Sequence, residues 1–190
     1  MKFVEYYNTE IVVEDLIHII ENTSKNNIKP NGNKLLELEK LNNPVISWLQ
    51  ECVDEFVLEM YAPDIKLQIT ECWATKTVKF SNHKSHTHPN SIISGIFYLT
   101  DHKNSKTIFF EENPWNWCNS VFSNLTKQVE LKTEIVPVVG KLILFPSNIK
   151  HSTSIHYYDT PRYTLSFNTF LTCNFGDFTY QLNLKPNHYK

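Results

Sequence analysis

The sequence predicts a mainly β fold, antiparallel strands arranged as a barrel or sandwich behind two supporting helices. Three observations carry this. From about residue 65 the chain breaks into short runs rich in β-branched and aromatic residues, no stretch of helical length separates those runs, and amphipathic helical spacing is confined to residues 12–61. At 190 residues the chain fits one domain, with a helical N-terminal layer over 1–64 and a β body over 65–190.

Taken in order, residues 12–22 place Val13, Leu16, Ile17 and Ile20 at helical spacing behind an acidic first turn. Residues 44–61 open on Pro44, which suits a first helical turn, and carry Ile46, Leu49, Val53, Val57 and Met60 on one face. Between them NTSKNNIKPNGNK reads as a polar loop. The strand candidates follow: KLQITECWATKTVKF, SIISGIFYLT, KTIFF, EIVPVVGKLILF, RYTLSFNTFL and FTYQLNL. Residues 111–126, with Trp115, Trp117 and Phe122, are the one long stretch without a period, readable as a hydrophobic plug or a lid over a site.

A formal charge of -2 and a pI near 6.4 give no basic stripe for nucleic acid or an anionic membrane. No run approaches the ~18 apolar residues of a membrane helix, and no apolar run of signal length opens the chain. Cys52, Cys72, Cys118 and Cys173 lie far apart with no C-x-x-C pair, which suits buried thiols in a reducing compartment. A cytoplasmic location is expected.

Chemistry concentrates in the histidines. His83, His86 and His88 crowd into HKSHTHPN, and on an extended strand the alternate residues His86 and His88 face the same way and can grip one ion. Downstream, GKLILFPSNIKH runs a strand from Gly140 into a Pro146 and Asn148 turn and delivers His151. A third imidazole from a separate strand closes a facial set of three protein ligands, a geometry that suits Fe(II) and leaves positions open.

Arg162 is the single arginine among 18 basic residues. Its planar fork takes a carboxylate or phosphate by two parallel hydrogen bonds, which lysine cannot do. Thr164, Ser166 and Asn168 share its strand face, whereas Tyr163, Leu165 and Phe167 form the apolar one. Ser94 and Tyr98, in parity with His86 and His88, are expected to line the same cavity, Ser94 making room and Tyr98 offering a hydroxyl to a carboxylate.

Three stretches, HTHPNSIISGIFYL, GKLILFPSNIKH and RYTLSFN, together resemble the Fe(II)- and 2-oxoglutarate-dependent oxygenases, and more closely the "putative 2OG-Fe(II) oxygenase" branch of bacteria and phages, over roughly residues 70–171. The resemblance implies a double-stranded β-helix, a cupin-like jelly roll. It implies that His86 and His151 hold Fe(II), with His88 at the position of the third ligand, and that Arg162 with Thr164 takes the distal carboxylate of 2-oxoglutarate with help from Tyr98. The implied activity is hydroxylation of a small-molecule or protein side-chain substrate by O2, with succinate and CO2 as co-products.

One ligand departs from the superfamily. His88 stands where an aspartate or glutamate is usual, which raises the charge of the site by one and removes an anionic donor. Asp101, Glu111 and Glu112 sit past the strand and are poorly placed to replace it. A three-histidine cupin is the rival resemblance, but the glutamate expected four or five residues after H-x-H is replaced by Ile92 and Ile93. A jelly-roll binding module without catalysis is the reading from a different class.

Overall fold

The computed structural model describes residues 3–22, 34–36, 43–60, 65–111, 132–172, 174–175 and 182–183. Two helices occur among them, α1 (Val13–Asn22) and α2 (Asn43–Met60), close to the spans that the apolar spacing predicts. The strands are β1 (Val4–Tyr7), β2 (Lys34–Leu36), β3 (Leu67–Thr77), β4 (Ile93–Tyr98), β5 (Thr107–Phe110), β6 (Lys132–Ile135), β7 (Lys141–Pro146), β8 (His151–Thr153), β9 (Arg162–Leu171), β10 (Asn174–Phe175) and β11 (Leu182–Asn183).

A six-stranded sheet runs β1-β7-β4-β9-β3-β2 and a three-stranded sheet runs β6-β5-β8, with every strand pair antiparallel. The expectation of an antiparallel β body therefore holds. The stretch before residue 65 contributes more than helices, because β1 and β2 form the two outer strands of the large sheet. Short strands with distant partners leave no local signature. Lys34 also lies in β2, although it reads in sequence as the end of the polar loop.

The helices cover one face of the large sheet. Val13, Leu16 and Ile20 of α1 and Leu49, Val53, Phe56 and Val57 of α2 bury against Ile69, Cys72, Ala74, Phe97, Leu142, Leu144, Leu165 and Phe167. Leu142 and Leu144 face the helices while Ile143 and Phe145 face the small sheet, so β7 is buried on both sides and reads as a continuous apolar run. Tight packing fixes Gly95: a Cβ there would collide with the ring of Phe167. Gly140 adopts φ +78° at the turn into β7, a conformation in which a side chain would meet the carbonyl of Asn8.

The long β3–β9 ladder contains one irregularity, a bulge between Ile69 and Glu71. Before it, Leu67 and Ile69 face the helices; after it, Cys72 and Ala74 do. An inserted residue switches which parity faces inward. Gln50 of α2 holds the strand just before the bulge, donating to Leu67 O (2.8 Å) and accepting from Ile69 N–H (3.0 Å).

Of the cysteines, Cys52 and Cys72 are buried free thiols, and burial pushes the Cys72 thiol well above its ordinary value. Cys118 and Cys173 lie outside the described residues, as does nearly all of the aromatic stretch 111–126. No helix among the described residues is long and apolar enough to cross a membrane.

Candidate functional site

The two sheets leave between them a cavity of about 830 Å³ whose lining includes His83, His86, His88, His151, Arg162, Thr164, Ser166 and Asn168. Alternation along β9 accounts for the last four, as its sequence predicts. From β3 the lining adds Glu71, Trp73, Thr75 and Thr77, the residues that the bulge turns toward this side.

The H-x-H segment is not a regular strand. It meets β8 through a single antiparallel bridge in which His86 and His151 exchange both backbone hydrogen bonds, each 2.9 Å, and His88 N–H donates to Ser147 O at 2.9 Å. Two turns with left-handed residues fix its ends. Phe80 (φ 63°) is held by Phe80 N–H donating to His156 O (2.6 Å), and Asn90 (φ 61°) reverses the chain into β4. A left-handed phenylalanine costs ~1–2 kcal/mol, so the surrounding contacts must impose it.

His86, His88 and His151 present one nitrogen each within 4.8 Å of one another, and they are exposed, half-buried and buried respectively. Their tautomers follow from their partners. His86 Nδ1 faces Lys84 O (2.8 Å), His151 Nδ1 faces Ile149 O (3.0 Å) and His88 Nδ1 faces Asn168 Oδ1 (2.8 Å). A carbonyl oxygen only accepts, so each Nδ1 carries a proton, and in the neutral imidazole that ligation requires each Nε2 is then the lone pair. The Nε2 atoms of His88 and His151 are 3.2 Å apart, two acceptors face to face. A cation among them relieves that repulsion, and the donor set suits a divalent transition metal. Burial holds His151 down at about 3, in the neutral form that ligation requires. His83 lines the cavity and is also pushed down by burial, but it is not among the three converging residues.

Arg162 is 2% exposed and pairs with no carboxylate among the described residues. Its Nη1 donates to Ser105 O (2.8 Å) and Ser105 Oγ (3.3 Å), and its Nη2 reaches Thr77 Oγ1 at 3.4 Å. Nε has no partner, the one such buried side-chain nitrogen or oxygen among the described residues. Burial pulls the guanidinium below its usual value, yet it remains cationic at any ordinary pH. A buried cation with an unused N–H is an incomplete arrangement that an anion completes.

Ser94 and Tyr98 lie in the row that faces the small sheet, but neither lines the cavity. Parity gives a side chain's direction and not its depth. Tyr98 is fully buried, donates to Thr107 Oγ1 (2.7 Å), and burial pushes its hydroxyl up to about 12. Ser94 donates to Asn168 Oδ1 at 2.9 Å. Asp101 accepts from Val139 N–H and Glu111 from Thr133 Oγ1, and neither lines the cavity; Glu112 lies outside the described residues. Sequence reasoning missed Glu71, Trp73, Ser105 and His156. His156 is wholly buried behind Ser105, its Nδ1 at 3.0 Å from Ser105 Oγ and its Nε2 at 2.8 Å from Thr160 O.

Comparison with solved structures gives the fold a class. An oxidoreductase of the 2OG-Fe(II) oxygenase family from Burkholderia pseudomallei is 11% identical, with 88% of this chain and 83% of that one covered at a TM-score of 0.61. A Pseudomonas putida prolyl-4-hydroxylase is also 11% identical, with 87% and 91% covered at 0.61. HygX from Streptomyces hygroscopicus, solved with nickel and 2-oxoglutarate bound, is 14% identical, with 88% and 81% covered at 0.56. Such likeness shows the fold, a double-stranded β-helix. No curated protein matches the sequence. The family described as "Putative 2OG-Fe(II) oxygenase" matches residues 71–168, just over half of the chain and the whole span from the bulge to Asn168. The chain belongs to that family of 2OG-Fe(II) oxygenases.

Proposed function

We propose that the protein is an Fe(II)- and 2-oxoglutarate-dependent dioxygenase that hydroxylates a small molecule or a protein side chain and releases succinate and CO2. The observation that carries this reading is the pairing, in one cavity, of three converging imidazoles with a buried guanidinium whose Nε is unpartnered and which meets no carboxylate among the described residues.

His86, His88 and His151 hold the metal through Nε2. The iron, when bound, supplies the activation of O2 that side chains cannot. Arg162 binds the distal carboxylate of 2-oxoglutarate through Nε and Nη2, with the Thr164 hydroxyl beside it on the same face of β9. Ser105 O keeps Nη1 occupied, which leaves the edge carrying Nε and Nη2 for a carboxylate. Tyr98 and Ser94 act one step back, through Thr107 and Asn168. With three neutral imidazole ligands, a dianionic cosubstrate lowers the combined charge of a divalent metal and the arginine without cancelling it. A cavity of about 830 Å³ has room for a substrate group beside the cosubstrate.

Thermal unfolding under anaerobic conditions tests the proposal. Mn(II) is expected to raise the melting temperature, and 2-oxoglutarate to raise it further only when Mn(II) is present. A ligand at 100 times its Kd contributes about 2.7 kcal/mol. Arg162→Lys keeps the charge and loses the fork, so it should remove the 2-oxoglutarate increment and leave the Mn(II) increment. Absence of any shift with Mn(II) and 2-oxoglutarate together overturns the oxygenase reading and leaves the binding-module one.

A further inference from the structure

His88 is the ligand that departs from the superfamily pattern, and its surroundings differ from those of the other two histidines. His86 and His151 are each oriented by the main-chain carbonyl two residues before them. The matching carbonyl for His88 is that of His86, which accepts from His151 N–H in the bridge. His88 is oriented by a side chain instead. We propose that Asn168 is the positioning residue that makes His88 a metal ligand, and that Glu71 behind it supplies, one step out, the negative charge that a carboxylate ligand would have brought. This rests on the metal reading of the three histidines.

The sheet builds the relay as a row. Glu71 is the cross-strand partner of Asn168 on β3, and Ser94 is its partner on β4. Asn168 Oδ1 accepts from His88 Nδ1–H at 2.8 Å and from Ser94 Oγ–H at 2.9 Å, while Asn168 Nδ2 donates to Glu71 Oε2 at 3.4 Å. The carboxylate settles which way the amide points, since the reversed amide would set its carbonyl against Glu71. The amide carbonyl then sets the His88 tautomer, and the tautomer leaves Nε2 bare toward His151 Nε2. Trp73, stacked on the His88 ring at 5.4 Å and 28°, restricts its rotation.

Glu71 owes its place to the bulge. In an unbroken ladder it would share the parity of Leu67 and Ile69 and face the helices; the inserted residue turns it into the cavity. A carboxylate–amide–imidazole relay raises the basicity of the ligating nitrogen in the same sense as the carboxylate–histidine pairs of other metal sites.

Titration of the untagged, metal-free protein with Mn(II), followed by the loss of the free-ion paramagnetic resonance signal, tests the relay without turnover. Asn168→Ala should weaken Mn(II) binding by about 10- to 100-fold. Asn168→Asp combined with Glu71→Gln, which keeps an acceptor for the same N–H without setting two carboxylates together, should bind within about 3-fold of the parent or more tightly. Glu71→Gln should weaken binding by a smaller factor than Asn168→Ala. In a His88→Ala background, Asn168→Ala should change nothing further, because both act through one ligand. Asn168→Ser, read in parallel, decides the outcome if the alanine variant fails to fold. Failure of the parent to bind Mn(II) overturns the metal reading and the relay with it. Binding by the parent with equal affinity in the Asn168→Ala and Asn168→Ser variants, or additive losses in the His88→Ala double variant, overturns the relay alone.

Discussion

The two faces of β9 belong to the same ten residues and serve opposite ends. Tyr163, Leu165 and Phe167 bury against the helices, where shape and apolar area dominate beside a hydrogen bond that the Tyr163 hydroxyl donates to Glu21. Arg162, Thr164, Ser166 and Asn168 line the cavity, where a fixed cation and two hydroxyls are buried and an amide is half-buried. The apolar face stabilises the chain enough to tolerate a polar face that contains a buried cation with no carboxylate partner among the described residues. Stability and binding should therefore separate along alternate residues of one strand.

The largest effect expected is on the apolar face. Phe167→Ala should cost about 3–5 kcal/mol in a urea titration, because the ring fills the space above Gly95 and leaves a void. Mn(II) affinity of the fraction still folded should change little. A large loss of metal affinity with unchanged stability would break the division between the faces.

Arg162→Met reverses the pattern. Losing charge-assisted hydrogen bonds should weaken 2-oxoglutarate binding by about 100-fold, roughly 2.7 kcal/mol. Replacing an uncompensated buried cation with an apolar side chain should leave the melting temperature of the ligand-free protein unchanged or higher. A collapse of stability in that variant would show that the arginine is a structural element.

Acid sharpens the comparison at the metal end. His151 stays neutral in the folded chain down to about 3, whereas in the unfolded chain it titrates near 6.5. Below 6.5 the unfolded state takes up the additional proton, so the stability of the metal-free protein falls as pH drops toward 3, by about 2 kcal/mol at pH 5. Urea midpoints measured at pH 7, 6 and 5 check this, and His151→Phe should flatten the profile. The smallest effect is Thr164→Val, which deletes a cavity-face hydroxyl. It should weaken 2-oxoglutarate by about 1 kcal/mol, or roughly 5-fold, with the melting temperature held. Isothermal titration at saturating Mn(II) reads the difference.

Much of this was legible from residue order. Alternation alone separates Arg162 from Tyr163, a lone arginine among lysines advertises geometry over charge, and three histidines announce a cluster. What stayed hidden depends on events that a periodic reading cannot see. The bulge before Glu71 follows no turn residue, so the carboxylate nearest Asn168 reads as one more charge on a strand. Tyr98 and Ser94 share the expected face, yet lie behind Thr107 and Asn168. His156, which bears on Arg162 through Ser105, comes from a loop tied by its backbone to the left-handed turn at Phe80, and Ser105 comes from the turn before β5. The carboxylate-to-imidazole change at residue 88 is plain in the sequence, but its proposed compensation involves strands almost a hundred residues apart.

The outermost strands of the large sheet are four and three residues long, and both come from the segment before the β body. Short edge strands limit pairing with neighbouring copies, and here β1 covers Lys141–Leu144 of β7 while β2 covers Cys72–Ala74 of β3. Long inner strands such as β7 and β3 would otherwise present open rows of amide and carbonyl groups to neighbouring copies. Trimming the chain to the span that the family match covers, residues 71–168, would keep every proposed ligand. It would also strip both edge strands together with α1 and α2, which bury one face of the large sheet, so the shortened protein should be lost to precipitation in the cell before its chemistry could be assayed.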